Sequence, residues 1–173
     1  MPCLRHGAAY PCCIDDGVLL GNASSHRSRG WSELKMDPNN PVVKLCVHGM
    51  DCESKGDFAG AAQSFQQAWN HATTDFDRCI AAHYVARHQN DPFDALEWNQ
   101  LALRHACAAA NDQVREFYPS LYLNLAKAYE NVGNRDQAKR FYGSAAGVLE
   151  SLPEGPYKDI VRGAIERAKI RVL

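Results

Sequence analysis

The sequence predicts an all-α fold, built from three antiparallel helix pairs that follow one another along the chain and a single closing helix. Three observations predict it. Small residues recur at a fixed spacing from position 41 onward, capping residues mark the ends of the helices, and apolar residues return at helical spacing near the C-terminus. A chain of 173 residues is long enough to bury a core without disulfide or metal crosslinks.

The composition argues against several classes of protein. The 19 Lys and Arg side chains nearly balance 20 Asp and Glu, which leaves a net charge of −1. Such a balance gives no field that would draw the whole molecule to nucleic acid or an anionic membrane. No apolar run approaches the roughly 20 residues that span a bilayer, and the first residues lack a secretory signal pattern. The seven cysteines include no C-x-x-C pair, so we expect free thiols and a cytoplasmic location.

Residues 1–40 differ in composition from the rest of the chain. They mix Gly, Ser, Pro, Cys and Arg without an apolar period, and such a segment buries too little surface to offset its ordering entropy. We predict that it is disordered or a non-native N-terminal extension. Met36 begins a stretch that reads like a natural protein start, so a further hypothesis is that translation begins there.

From Pro41 the chain repeats itself, first after 34 residues and then after a longer interval. The matching positions are His48-Gly49, Cys52, Gly56, Ala61, Phe65 and Ala68, then Ala82-His83, Ala86, Asn90, Ala95, Asn99 and Ala102, then Leu125-Ala126, Tyr129, Gly133, Ala138, Tyr142 and Ala145. Small residues at these positions let two helix backbones approach closely, and the bulky residues fill the gap to the next pair. His83 stands where glycine or alanine is expected, so its unit should pack more loosely or hold the ring in a special contact.

This spacing, L-G-x-x-Y followed by A-x-x-x-F and A, resembles the tetratricopeptide repeat over about residues 42–152. The resemblance, to small bacterial proteins of this family, implies a right-handed α–α superhelix of three helix pairs with a C-terminal capping helix. The domain then spans residues 41–173. It also implies that the first helix of each pair lines a concave face, on which relatives bind an extended or helical peptide.

Capping residues give the expected helix ends. Gly56-Asp57 and Gly133-Asn134 each offer a glycine suited to a left-handed helix end, followed by a capping side chain. Asp91-Pro92 supplies a cap and a first-turn proline, and Asn134 with Gln137 forms a capping box. The predicted helices cover residues 42–55, 58–72, 75–89, 92–109, 113–132 and 135–151, and the fifth is predicted to be one long helix kinked at Pro119.

The closing helix is predicted to start at Gly155-Pro156. Its inner face is expected to be apolar and to consist of Tyr157, Ile160, Val161, Ala164, Ile165, Ala168 and Val172. Its outer face is expected to carry Lys158, Arg162, Glu166, Lys169 and Arg171. The end of a solenoid needs this division, because its last helix has solvent on one side.

The resemblance also assigns the ligand-facing positions of each unit. They are Val43, Cys46, Met50, Glu53 and Ser54, then Asp77, Ile80, Tyr84, Arg87 and His88, then Ser120, Leu123, Lys127, Glu130 and Asn131. The predicted peptide-binding set is Met50, Tyr84, Arg87, His88, Leu123, Asn124 and Lys127. The alternative is an ordinary solvated face with one packed tyrosine. Relatives that clamp chaperone tails have lysine and asparagine where this chain has Cys46 and Met50, so that ligand is not expected.

No sequence feature supports an enzyme. The chain lacks the common nucleophile, zinc-protease, phosphate-loop and calcium-loop motifs, so we predict no catalytic residue and no cofactor. The ligand types of a zinc site occur at Cys3, His6, Cys12, Cys13 and His26, but their spacing matches no common finger, so no metal site is predicted. The run Asn90-Asp91-Pro92-Phe93 resembles the catalytic loop of adenine N6-methyltransferases, but no glycine-rich turn or parallel sheet accompanies it.

Two other functions stay open beside capture of a protein or peptide. One is a nucleic-acid-associated accessory protein, since similar repeat proteins sometimes carry a ribosomal-RNA adenine methyltransferase label. Its phosphate contacts would come from Lys158, Arg162, Arg167, Lys169 and Arg171 on the closing helix. The other is a homodimer whose interface contains exposed Met50, Ile80 and Leu123. Nucleic acid and membrane are not the expected partners.

Overall fold

A computed structural model of the protein describes residues 37, 39–109 and 112–172, with no side chain described at 112, 113, 169 and 172. The helices are α1 (Pro41–Ser54), α2 (Phe58–His71), α3 (Asp75–Val85), α4 (Pro92–Ala109), α5 (Asp112–Arg115), α6 (Tyr118–Asn131), α7 (Arg135–Leu149) and α8 (Pro156–Val172), with a 3-10 turn at Ala86–His88. Strands are absent from this part of the chain, which confirms the all-α prediction. None of its helices is both long and apolar enough to cross a membrane. The predictions for residues 1–36, including the zinc ligands, lie outside the described residues.

Side-chain caps start the helices where the sequence predicted them. Asp57 accepts a hydrogen bond from the Gly60 N–H at 2.9 Å, and Asp91 accepts one from the Phe93 N–H at 2.7 Å. Asn40, which the sequence analysis had not named, caps α1 by accepting from the Val42 N–H at 2.8 Å. Gly56 and Gly133 end their helices at φ angles of 78° and 81°, in the left-handed region that favours glycine. Each cap contributes about 1 kcal/mol, because it satisfies a backbone N–H that has no partner inside the helix.

Two helix boundaries differ from the prediction. The helix predicted over 75–89 is regular only to Val85 and tightens into the 3-10 turn. The long helix predicted over 113–132 is two helices, α5 and α6, separated by residues 116 and 117. Pro119 lies in the first turn of α6, where a missing N–H costs nothing, so it starts a helix and does not kink one. The capping box forms at Thr74 and Asp77, which the sequence analysis had not identified.

The helices pack as neighbours in chain order. The closest partners are α1 with α2, α3 with α4, and α6 with α7. Successive pairs meet through α2 against α3 and α4 against α6, and α8 packs on α7 and α6. This is the pairing that the repeat predicted.

The first helices of the pairs and α8 run side by side in the same direction, as paired contacts at constant sequence separation show. The contacts are Met50–Tyr84 and Glu53–Arg87 between α1 and α3, Phe76–Phe117 and His83–Asn124 between α3 and the start and middle of α6, and Glu116–Tyr157 and Glu130–Arg171 between the α6 segment and α8. The separation is 34 residues at the first junction and 41 at the other two. We call the surface formed by α1, α3, α6 and α8 the four-helix face.

Small residues allow the close packing within the core. A Cβ built on Gly49 would lie 2.7 Å from Cζ of the Phe65 ring, which is fully buried, so glycine is required for this approach. Alanines at the repeat positions, such as Ala61 and Ala138, are completely buried. Free cysteines also fill the core, and burial raises the pKa of Cys79 to about 12, which keeps its thiol neutral.

Candidate functional site

Four of the predicted site residues meet at the junction of α1 and α3, together with Glu53. The Tyr84 hydroxyl donates to Met50 Sδ at 3.2 Å. Arg87 Nη2 donates to Glu53 Oε2 at 3.0 Å, and His88 Nε2 lies 2.8 Å from Glu53 Oε1. These side chains therefore bind one another across the junction.

Phe65 of α2 lies beneath this junction. Its ring stacks on Tyr84 at 5.0 Å between centroids and contacts His88 at 5.2 Å. Burial, with Cys46 as the next cause, raises the pKa of Tyr84, so this hydroxyl stays a neutral donor. Arg87 lies over the Tyr84 ring at 5.5 Å and keeps 43 % of its side chain exposed. Of the residues at this junction, Arg87 is the one that presents a charge to solvent.

The predicted site residues on α6 lie farther along the same face. Leu123 is partly buried and packs against the core. Asn124 Nδ2 lies 3.5 Å from His83 Nδ1, and Lys127 Nζ donates to Glu130 Oε1 at 2.9 Å while half of the Lys127 side chain stays exposed. The structure thus brings the seven predicted residues onto one face, in two groups on neighbouring helices.

Glu130 joins three helices at the far side of the face. It accepts hydrogen bonds from the Tyr142 hydroxyl of α7 at 2.6 Å and from Arg171 of α8 at 3.1 Å and 3.3 Å. The hydrogen bond from Arg171 is the main cause that lowers the pKa of Glu130 to about 2, with further contributions from Tyr142 and Lys127 and against the effect of burial. This carboxylate holds the end of α8 in place.

Several positions that the resemblance assigned to the ligand face are buried. Val43, Cys46, Asp77 and Ile80 are covered by neighbouring helices, so the assignment of these four is wrong. The proposed exposure of Ile80 in a dimer interface is wrong for the same reason.

The closing helix contributes residues that the sequence analysis placed inside. Tyr157 and Ile160 were predicted to be buried, but they are 42 % and 69 % exposed. The Tyr157 hydroxyl donates to the Glu116 carbonyl oxygen at 3.3 Å, next to the start of α6, so this ring lies on the four-helix face. Of the predicted inner face, Val161, Ile165 and Ala168 are buried in the core. The sequence contained a sign of this exposure, because an apolar face of seven residues is wider than the groove between two packed helices.

Three basic residues of α8, Lys158, Arg162 and Arg171, are paired with carboxylates, and Arg167 is exposed. Lys158, predicted on the outer face, is buried, and its ammonium lies 2.8 Å from Glu154 and 3.3 Å from Glu150. Arg162 pairs with Asp159 at 2.9 Å. These carboxylates would repel phosphates, which weighs against the nucleic-acid alternative. The side chain of Lys169 lies outside the described residues.

His83 makes the special contact that its position suggested. Its ring meets Tyr84 edge-on, with centroids 5.2 Å apart at an interplanar angle of 82°. Burial, with the nearby Arg87 as the second cause, lowers the pKa of His83 to about 4. The ring is therefore neutral at physiological pH, and its Nδ1 accepts from Asn124 Nδ2 at 3.5 Å.

A polar cleft of about 450 Å³ opens beside the starts of α1 and α3. Its carboxylates already have partners, since Asp77 accepts from Asn40 at 2.7 Å and caps α3, and Asp75 lies 2.8 Å from His105. Within the described ranges, no group of three or more His, Cys, Asp or Glu side chains is arranged to hold a metal. The predictions of no enzyme activity and no cofactor stay predictions.

Comparison of the chain with protein-family models, with curated proteins and with solved structures found no match.

Proposed function

We propose that the protein is a non-catalytic, tetratricopeptide-type adaptor or regulator that captures a peptide segment of another protein on its four-helix face. The proposal includes the right-handed superhelix, the concave shape of this face and a cytoplasmic location. Three things support it: the internal repeat, the packing of the helices in chain order, and the parallel alignment of α1, α3, α6 and α8.

The observation that carries the proposal is the mixed character of one continuous face. Half-exposed cations, at Arg87 and Lys127, lie on the same aligned helices as the partly exposed apolar side chains of Leu123 and Tyr157. Extended and helical peptides bind through such rows, because apolar anchors supply affinity and a few polar contacts fix the register.

The test is selection of a random twelve-residue peptide library on the immobilised full chain, followed by isothermal titration of the enriched peptides. We expect enriched peptides that bind with a dissociation constant of roughly 1 μM, equivalent to about 8 kcal/mol. Leu123→Gln should weaken binding at least tenfold. Phe93→Gln is the matched control, since Phe93 is an exposed apolar residue on α4, away from the face.

Circular dichroism and light scattering on each variant keep the test interpretable. A variant with the parent's helical signal and mass that fails to bind has lost a contact and has kept its fold. Recovery of no peptide, or equal loss of binding by Phe93→Gln, would contradict the proposal. A concentration-dependent dimer that excludes peptide would favour the homodimer reading, in which Met50 and Leu123 are interface residues.

A further inference from the structure

Charged side chains form a row along the C-terminal ends of the aligned helices. Those at the two outer junctions are paired with one another, whereas the cations at the junction between them are partly exposed. At the α1–α3 junction, Glu53 binds Arg87 and His88. At the α6–α8 junction, Glu130 binds Lys127 of its own helix and Arg171. Each of these junctions has a carboxylate that binds two basic side chains.

The α3–α6 junction has no such carboxylate in its register. Phe76 and Phe117 meet at 6.2 Å between centroids, and His83 and Asn124 approach to 3.5 Å, so the two helices are aligned with a constant offset of 41 residues. One turn beyond His83 lies Arg87, and one turn beyond Asn124 lies Lys127. Arg87 lies in the 3-10 turn that follows α3, so this register brings two cations to about the same level at the ends of neighbouring helices.

The cations of this row are more exposed to solvent than its carboxylates. Arg87 and Lys127 are 43 % and 50 % exposed, whereas Glu53 and Glu130 are 16 % and 19 % exposed. In the contacts of the described residues, Arg87 gives one N–H group to Glu53 and Lys127 gives one proton to Glu130. A guanidinium has five N–H donors and an ammonium has three, so both groups have donors that point to solvent.

Resting on the proposed function, we propose that Arg87 and Lys127 together bind the carboxylate of an aspartate or glutamate in the captured peptide. The carboxylate joins these two cations across the α3–α6 junction, as Glu53 and Glu130 join basic side chains at the neighbouring junctions. Charge-assisted hydrogen bonds of this kind are short and directional, so they fix the register of the peptide. Leu123 and Tyr84, on the same two helices, contact the apolar residues beside the acidic one.

The carboxylates in this row weigh against the binding of a polyanion such as a nucleic acid. Glu53 and Glu130 flank the two cations, and Glu116 lies at the other end of the α3–α6 junction beside Tyr157. A nucleic acid places a phosphate at every nucleotide, so its neighbouring phosphates would meet these carboxylates. A single acidic side chain with apolar neighbours would not bring further negative charges near these carboxylates.

The experiment uses the peptides that the library selection recovers on the full chain. We expect aspartate or glutamate to be enriched at one position next to an apolar residue. Replacing that acid by its amide in the peptide, and Lys127→Gln and Arg87→Gln in the protein, gives a double-mutant cycle. Either protein change should weaken the acidic peptide about tenfold and the amide peptide less than about threefold.

Lys55→Gln is the matched control, since Lys55 is an exposed cation at the end of α1 that already pairs with Asp51. It should leave both peptides unaffected. Lys127→Gln is the decisive variant if Arg87→Gln unfolds, because Lys127 makes its one described contact within α6.

Peptides that bind and lose affinity with Leu123→Gln, but show no acid enrichment and no coupling to Arg87 or Lys127, would overturn this inference and leave the proposed function intact. Recovery of no peptide, together with salt-dependent binding of a single-stranded RNA oligonucleotide that Lys127→Gln abolishes, would overturn both.

Discussion

The α1–α3 and α3–α6 junctions join the same kind of helix in the same direction but end differently. The first is closed by Glu53, which binds Arg87 and His88 over the buried Phe65 ring. The second is joined by the Phe76–Phe117 contact and by a long polar contact, between His83 and Asn124 at 3.5 Å, and it presents its cations to solvent. The polar groups of the first junction bind one another, whereas the cations of the second are partly exposed, and we propose that they bind a ligand.

The connection between the pairs explains this difference. The offset between aligned helices is 34 residues at the first junction and 41 at the second, and the extra length forms α5 and the turn before α6. With an offset of 41 residues the position that matches Arg87 is Ala128, so the cation Lys127 lies one residue before it. The insertion between α4 and α6 thus changes which side chains of α3 and α6 are neighbours at the far ends of these helices.

Loss of Phe65 should have the largest effect on this comparison. Phe65→Ala removes a fully buried ring from under Tyr84 and His88, so we expect a loss of about 3–5 kcal/mol in the free energy of unfolding. Urea denaturation measures it. Phe58→Ala, at an exposed phenylalanine in the same helix, should change stability by less than about 0.5 kcal/mol. Equal losses in the two variants would show that Phe65 does not close the first junction.

Gly49→Ala tests the close approach within the first pair. Its Cβ would overlap the Phe65 ring, which cannot move, so we expect destabilisation by about 1–3 kcal/mol despite the better helix propensity of alanine. The control is Gly147→Ala in α7, where no atom lies within 4 Å of the new Cβ. That change should stabilise the protein by about 0.5–1 kcal/mol. Thermal unfolding of both variants measures these effects. Stabilisation by Gly49→Ala would contradict the close contact between Gly49 and the Phe65 ring.

Glu130→Gln tests the junction of α6 and α8. The pKa of Glu130 is lowered from 4.5 to about 2, so its stabilising effect is complete above pH 4.5 and is lost as the pH falls towards 2. We expect the variant to be about 1–2 kcal/mol less stable at pH 7 and nearly equal to the parent at pH 2. Asp159→Asn, at a carboxylate that is 66 % exposed, should have a much smaller effect. A constant difference for Glu130→Gln from pH 7 to pH 2 would contradict this account.

His83→Gln has the smallest expected effect at neutral pH, within about 1 kcal/mol. The pKa of His83 is lowered from 6.5 to about 4, so the folded state is penalised increasingly as the pH falls from 6.5 towards 4. The variant lacks this loss and should gain stability relative to the parent over that range. His71→Gln, at the exposed end of α2, serves as the control. Parallel pH profiles of His83→Gln and the parent would show that the ring is not buried in solution.

Local signals in the sequence predicted most of the fold. The caps at Asp57 and Asn134, the glycine ends at Gly56 and Gly133, and the order of the helix pairs agree with the structure. They are predictable because each depends on a few residues close in sequence. The break between α5 and α6 was not predicted, since Pro119 fits either a kinked helix or a helix start.

The details of the site depended on contacts that are distant in sequence. The partnership of Glu53 with His88, and that of Glu130 with Arg171, links residues 35 and 41 positions apart. Nothing local distinguishes such a pair from two solvated side chains. The exposure of Tyr157 depends likewise on how α8 lies on α6 and α7, which the apolar period of one helix does not define.

The most direct test of the four-helix face is nuclear magnetic resonance of the labelled full chain, titrated with a library-selected acidic peptide. The account predicts that the largest shifts of amide signals occur in α3 and α6, around Tyr84, Arg87 and Lys127, with smaller shifts in α8. The account would be contradicted if the shifts were confined to α2, α4 and α7 and the amide signals of α3 and α6 stayed unchanged.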